Sequence, residues 1–321
     1  MKHLFLLLAI TVTFSSCTVW TGPVKLADSG EKAKASPRIE QLPPPESTGE
    51  LTLAFEGVFA PEVNLLSPQG ISFGVDGTLY VCDREHSSIV RLGEDGALIA
   101  RFSGYSSRVA RLYSPIDVCS TSGMGIYVVD AANSQILRFD RNLKNNFVAY
   151  SKDSDATKLF GSFSGLSFDR GSGDLYVTDR DTGSLIRIDM LRKAISSRGS
   201  FGSGRESLKE PLGIDVTDDG AIFIADRAAG SIATLHHYGT KINSVGGGIL
   251  EGPVDVVSIP DGRLAIADKR GILILSADGA VLATAGFGAD RSMEPRSIAY
   301  REDKLYVSDG VSRTILVYSV K

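Results

Sequence analysis

From residue 50 onward, apolar and polar positions alternate in short runs that return in the same order six times. The first copy shows the pattern. Ser67-Pro68-Gln69-Gly70-Ile71-Ser72-Phe73 is a proline entry with a short run, Asp76-Gly77 marks a turn, and Thr78-Leu79-Tyr80-Val81-Cys82-Asp83 is a second run ending on an aspartate. Later copies enter at Pro115, Phe163, Pro211, Pro253 and Pro295, and end at Asp130, Asp179, Asp226, Asp268 and Asp309. Period-two alternation over so few residues is the mark of a strand, and Asp-Gly supplies the positive φ that a tight hairpin needs. Successive aspartates stand 47, 49, 47, 42 and 41 residues apart. A strand-built unit of that length cannot bury both its faces alone, so the copies must pack on one another around an axis. The pattern predicts an all-β chain folded as a six-bladed β-propeller of four-stranded blades.

The third strand is predicted to begin six residues after the aspartate, at Ile89, Ile136, Leu185, Ile232 and Ile315. Asp268-Lys269-Arg270-Gly271-Ile272 shortens that loop by two residues. An outer fourth strand follows in the first five copies, at 97–102, 147–150, 193–196, 241–245 and 280–284. The sixth copy stops after its third run at 314–320. Residues 51–55, which have no partners of their own, are predicted to supply its missing outer strand, so that the N-terminal strand closes the ring and covers an exposed edge.

The repeated unit resembles the NHL repeat, a family of propeller blades. Its Pro-x-Gly-Ile entry is matched by Pro68-Gln69-Gly70-Ile71 and Pro211-Leu212-Gly213-Ile214, and its Leu-Tyr-Val-x-Asp core by residues 79–83 and 175–179. The Asn-His-Arg-Ile segment is echoed at Glu85-His86-Ser87-Ser88-Ile89 and Asn133-Ser134-Gln135-Ile136, and the Phe-Gly link at Phe201-Gly202-Ser203-Gly204. The resemblance implies the fold across 50–321 and leaves function open, since the family includes protein-binding, RNA-binding and enzymatic members.

The N-terminus changes the picture of where the domain works. A short basic start is followed by an apolar run over 4–14, too short to span a bilayer and of the length of a signal-peptide core. Phe14-Ser15-Ser16-Cys17 resembles a bacterial lipoprotein cleavage site, which implies a signal peptide over 1–16 and a Cys17 that is acylated at its sulfur and, after cleavage, at its amine. Two or more acyl chains anchor firmly where one does not. Residues 17–49, with Pro23, Pro37 and Pro43-Pro44-Pro45 and no apolar period, read as a flexible linker. Thr18, where an acidic residue would retain such a protein at the inner membrane, favours the outer membrane. The expected location is therefore the cell envelope, facing the periplasm or the surface.

Charge and chemistry narrow the function less. The chain has 34 basic and 38 acidic residues, a formal net charge of -4, which argues against a general nucleic-acid-binding surface. Outside the leader the histidines are His86, His236 and His237, with the last pair expected in a third strand where neighbours face opposite ways; a three-histidine zinc centre is not expected. No P-loop, dinucleotide fingerprint or Gly-x-Ser-x-Gly elbow occurs, and no cofactor is expected. Cys82 and Cys119 read as buried thiols, with a disulfide between adjacent blades as the alternative. The six repeated aspartates read as fold-holding acceptors for the following loop rather than as an acid cluster.

The residue after each aspartate is more informative. It is Arg84, Ala131, Arg180, Arg227, Lys269 or Gly310, so Arg84, Arg180, Arg227 and Lys269 should share one rim and attract an anionic partner. At the adjacent channel mouth, where first strands start, stand Gln69, Asp117, Asp255 and Arg296. The resulting expectation is an envelope-anchored scaffold that binds another envelope protein, a peptide or an anionic glycan. The alternative is a metal-dependent lyase or a lactonase-type hydrolase at the channel mouth, with oxygen ligands drawn from Asp117, Asp255 and Gln69.

Overall fold

A computed structural model of the chain describes residues 46–48, 51–104, 111–123, 125–154, 157–198, 207–237, 240–287 and 293–321. The leader, Cys17, the Phe201-Gly202-Ser203-Gly204 link and all of the 17–49 linker except residues 46–48 lie outside the described residues.

Strand β1 (Leu53–Phe59) precedes five complete blades. The first is β2 (Pro68–Phe73), β3 (Leu79–Asp83), β4 (Ser88–Leu92) and β5 (Leu98–Ser103), and the second is β6 (Pro115–Ser120), β7 (Gly125–Asp130), β8 (Gln135–Asp140) and β9 (Asn146–Ser151). Blade 3 is β10 (Phe163–Phe168), β11 (Leu175–Asp179), β12 (Ser184–Asp189) and β13 (Ala194–Arg198). Blade 4 is β14 (Pro211–Val216), β15 (Ile222–Asp226), β16 (Ser231–Leu235) and β17 (Lys241–Val245). Blade 5 is β18 (Pro253–Ile259), β19 (Arg263–Asp268), β20 (Gly271–Leu275) and β21 (Val281–Ala285). The last three strands, β22 (Pro295–Arg301), β23 (Lys304–Asp309) and β24 (Thr314–Val320), are completed by β1 in the order β1-β24-β23-β22. Each sheet is antiparallel, and the innermost strands touch in turn around a closed ring, β2 meeting both β6 and β22.

The closing strand runs past the expected 51–55. Leu53 pairs with Val320 and Phe59 with Ile315, with a bulge at Phe55–Gly57. Phe55 meets Tyr318 edge-on at 5.4 Å, and Phe59 meets Tyr306 at 5.2 Å. These contacts bury apolar surface as well as pairing the β24 edge.

The core lies between blades rather than within them. Tyr80, Cys82 and Ile89 of blade 1 pack on Val118, Val128 and Leu137 of blade 2; Ile71, Val81 and Val90 pack on Ala299 and Ile315 across the closing seam. Strands two and three are buried on both faces, with β3, β4 and β11 buried throughout, as the two-sided packing requires. Cys82 and Cys119 are free thiols. They face different interfaces, Cys82 towards blade 2 and Cys119 into the core shared by blades 2 and 3, so adjacency of their blades does not bring them together.

The six aspartates explain the repeat. Asp83, Asp130, Asp179, Asp226, Asp268 and Asp309 are at most 1% exposed. Their carboxylates accept amides from the entry loop that precedes the blade: Ser67 N, Ser114 N, Ser162 N, Glu210 N, Gly252 N and Glu294 N, at 2.6–3.1 Å. Some also accept amides of the following turn, as Asp226 does from Ala229 N and Asp309 from Ser312 N. The following loop is thus only part of their role. Each aspartate chiefly clamps the start of the first strand to the end of the second.

Candidate functional site: an arginine-rimmed channel mouth

Each first strand carries a bulge just after its entry residue, between Pro115 and Asp117 in blade 2 and between Pro253 and Asp255 in blade 5. The bulge re-aims the next side chains into the central channel. At this position Gly70, Gly165 and Gly213 leave room for a neighbour. A Cβ on Gly70 would stand 2.5 Å from the Cα of Asp117, and one on Gly213 would stand 2.6 Å from the Cα of Asp255. Glycine in one blade and aspartate in the next are a matched pair.

Those aspartates bridge blades. Asp117 accepts the Val118 amide at 2.9 Å and the Leu166 amide of blade 3 at 2.8 Å. Asp255 accepts the Val256 amide at 2.9 Å, and from blade 6 the Ile298 amide at 3.0 Å and the Ser297 hydroxyl at 2.7 Å. Deeper in the channel, Asp215 accepts the amide of Ser258 in blade 5 at 2.7 Å. Serines complete the belt: Ser297 Oγ accepts the Ile71 amide, Ser120 Oγ donates to the Phe73 carbonyl, and Ser167 Oγ accepts the Val216 amide. Every junction between neighbouring first strands therefore has a side-chain hydrogen bond.

The enclosed channel perturbs these acids. Burial, then the facing charge of Asp255, pushes the Asp117 carboxyl well up. Asp255 is pushed up to about 6 by burial, with Asp215 adding to the effect against the hydrogen bonds from Ser297, Ile298 and Val256. Asp215 is raised by burial too. Blades 2 and 5 lie three steps apart in a ring of six, so Asp117 and Asp255 face one another across the axis.

Above them opens a cavity of about 260 Å³ on the face where first strands begin. Its lining unites all four expected mouth residues, Gln69, Asp117, Asp255 and Arg296, with three of the four rim cations, Arg84, Arg180 and Arg227. Lys269 does not line it; its ammonium pairs with Glu251 at 3.0 Å. Gln69 turns its amide nitrogen to Ser67 Oγ and the Pro68 carbonyl. Arg84 Nε donates to Ser114 Oγ at 3.0 Å and Arg180 Nε to Ser162 Oγ at 3.3 Å, and among the described residues neither has a carboxylate within ion-pair distance. Arg227 stands 3.9 Å from Glu210 and Arg296 2.7 Å from Glu294. Arg296 lines the mouth as the sequence grouping has it, and it also stands beside the sixth blade's rim position at Gly310. A Cβ on Gly310, at the repeat's cation position, would lie 2.8 Å from Arg296 Nε. The glycine leaves the space that the Arg296–Glu294 ion pair fills.

The histidines are elsewhere. His86 Nδ1 lies 2.5 Å from Asp83 Oδ2 and supports the clamp of blade 1. His236 and His237 follow β16 in an exposed turn rather than lying in the strand as expected, and the His237 carbonyl accepts the Tyr176 hydroxyl at 3.0 Å. Among the described residues no three His, Cys, Asp or Glu side chains are grouped to hold a metal ion.

Comparison with known proteins agrees with this architecture. The NHL repeat family model matches residues 65–92. No curated protein matches in sequence. Among solved structures, a streptogramin B lyase is similar at 14% identity and a TM-score of 0.59, covering 84% of this chain and 88% of its own. A virginiamycin B lyase from Staphylococcus aureus is 11% identical, with a TM-score of 0.60 and coverage of 84% and 99%. A gluconolactonase from Xanthomonas campestris is 12% identical, with a TM-score of 0.63 and coverage of 80% and 87%. At such identities the likeness is one of fold. The chain is a six-bladed β-propeller whose first blade matches the NHL repeat model over residues 65–92.

Proposed function

We propose that this propeller is a recognition module, held at a cell envelope through Cys17, that captures an anionic ligand at the arginine-rimmed mouth. The ligand would belong to another envelope protein, a peptide or an anionic glycan. One observation carries the reading: Arg84 and Arg180 line a common cavity with no carboxylate partner among the described residues, so their charge is available to a ligand. Convergent guanidinium groups favour carboxylate, sulfate or phosphate oxygens, which they can grip with two parallel hydrogen bonds.

The path of the chain supports the reading. Thr48 N donates to the Val281 carbonyl at 3.0 Å, Ser47 Oγ donates to the Leu282 carbonyl, and Thr52 N donates to the Lys321 carbonyl. Val281 and Leu282 begin a fourth strand and Lys321 follows a third. Residues 47, 48 and 52 thus meet the domain on the hairpin face, opposite the arginines.

The test is binding of fluorescein-labelled polyglutamate and polyuronate, followed by polarisation at low and physiological salt. Arg84→Ala/Arg180→Ala/Arg227→Ala should weaken binding at least about tenfold, with steep loss in salt, whereas Lys269→Ala should leave it unchanged. Equal binding by the triple variant would remove the basis of the reading.

A second reading, a lyase or hydrolase at the same mouth, is favoured by the facing carboxylates Asp117 and Asp255, both held above the usual carboxylate range by burial as a proton-holding group in an active site is. Their hydrogen bonds to main-chain amides already explain their presence. Turnover of lactone or cyclic-ester substrates that disappears in Asp255→Asn, while the fold is retained, would favour this second reading over the first.

A further inference from the structure

The arginines are not spread evenly around the mouth. Arg296 and Arg84 belong to blades 6 and 1, which are neighbours across the closing seam, and Arg180 and Arg227 belong to the neighbouring blades 3 and 4. In a ring of six these two pairs lie on opposite sides. Each pair has the same make-up. One arginine rests on a serine hydroxyl, Arg84 on Ser114 and Arg180 on Ser162; the other meets a glutamate, Arg296 at Glu294 and Arg227 at Glu210.

Among the described residues, the two remaining blades contribute no cation to the lining of this cavity. Blade 2 has Ala131 at the rim position, and in blade 5 Lys269 is held by Glu251. It is also blades 2 and 5 that contribute Asp117 and Asp255 to the same cavity. Positive potential is therefore concentrated at two opposite points, and the line at right angles carries the carboxylates. An anion is drawn to either arginine pair and meets no cation along the perpendicular direction.

Resting on the proposed anion-binding role of this mouth, we infer that its ligand is an elongated dianion, with one anionic group on the Arg296/Arg84 pair and the other on the Arg180/Arg227 pair. Once one end is bound, the second end meets its own pair at an effective concentration set by the connecting chain. The ring is built of packed blades joined by hydrogen bonds at every junction, so the separation of the pairs is fixed and ligand length is selected. A monoanion uses one pair and gains nothing from the other.

The experiment measures affinities of the intact domain for linear α,ω-dicarboxylates from malonate to sebacate, with monocarboxylates of matching length as controls. The expected result is one optimal chain length, at which the dicarboxylate binds at least about tenfold more tightly than the monocarboxylate. Arg84→Ala and Arg180→Ala, singly, should each bring the optimal dicarboxylate down to about the monocarboxylate's affinity, while lowering the monocarboxylate's own affinity by no more than about twofold, because the opposite pair still binds it. Equal affinity of mono- and dicarboxylates, or no dependence on length, would overturn the two-point geometry and leave single-anion recognition standing. Failure of the unmodified protein to bind either class would overturn both.

Discussion

Replacing Asp226 by alanine tests the assignment of the repeated aspartates to architecture. The carboxylate is 1% exposed and accepts the Lys209 and Glu210 amides at 2.9 Å each, and the Ala229 amide at 3.3 Å. A hydrogen bond to a charged group contributes about 1.5–3 kcal/mol, so the two short bonds amount to roughly 3–6 kcal/mol. Relief from burying the charge offsets part of this. The expected net loss is about 3–4 kcal/mol, a large share of the roughly 5–15 kcal/mol that separates folded from unfolded domains. Urea unfolding at pH 7 reads the loss as a lower midpoint at unchanged slope. Asp226→Asn keeps one acceptor oxygen and should lose about half as much. The same alanine substitution at Asp179 or Asp309, which hold equivalent amides, should have a similar effect. A loss under about 1 kcal/mol at Asp226, or an effect confined to ligand binding, would refute the clamp.

Two further outcomes follow from the geometry. Deleting residues 51–59 removes β1, uncovers β24 and takes Phe55 from Tyr318 and Phe59 from Tyr306, which should lower the thermal midpoint by about 10 °C; an unchanged midpoint would show that the ring does not depend on this strand. Asp255, pushed up to about 6 in the folded protein, keeps a proton that the unfolded chain releases near pH 4. Its effect is absent below about pH 4 and destabilising above about pH 6, by about 2–3 kcal/mol, so it makes stability fall as pH rises through that window. Asp255→Asn should flatten this part of the stability–pH curve, and a variant with the same slope as the unmodified protein would contradict the assignment.

What was legible in the sequence is whatever recurs. Strand period, hairpin glycines and the aspartate ending each second strand report on local geometry, which every blade must satisfy separately, so six copies make the pattern plain. The absence of a fourth strand after residues 314–320 was enough to assign β1 to the last blade, because an unpaired edge has only one available partner. The grouping of Arg84, Arg180 and Arg227 was legible too, since equivalent positions in a ring emerge on one face.

The tertiary structure decided what depends on neighbours. That Asp117 and Asp255 brace the adjacent blade is invisible along the chain, because their amide partners are 49 and 43 residues away. Lys269 sits at a rim position yet pairs with Glu251 and does not line the cavity, whereas Arg296, paired with Glu294 beside Gly310, does. A repeat specifies where each backbone goes. Which charges remain available is settled by side chains that meet only in the folded blade, as Lys269 meets Glu251 of its own blade's entry loop, and the pairing of four arginines on opposite sides of one mouth exists only once the ring has closed.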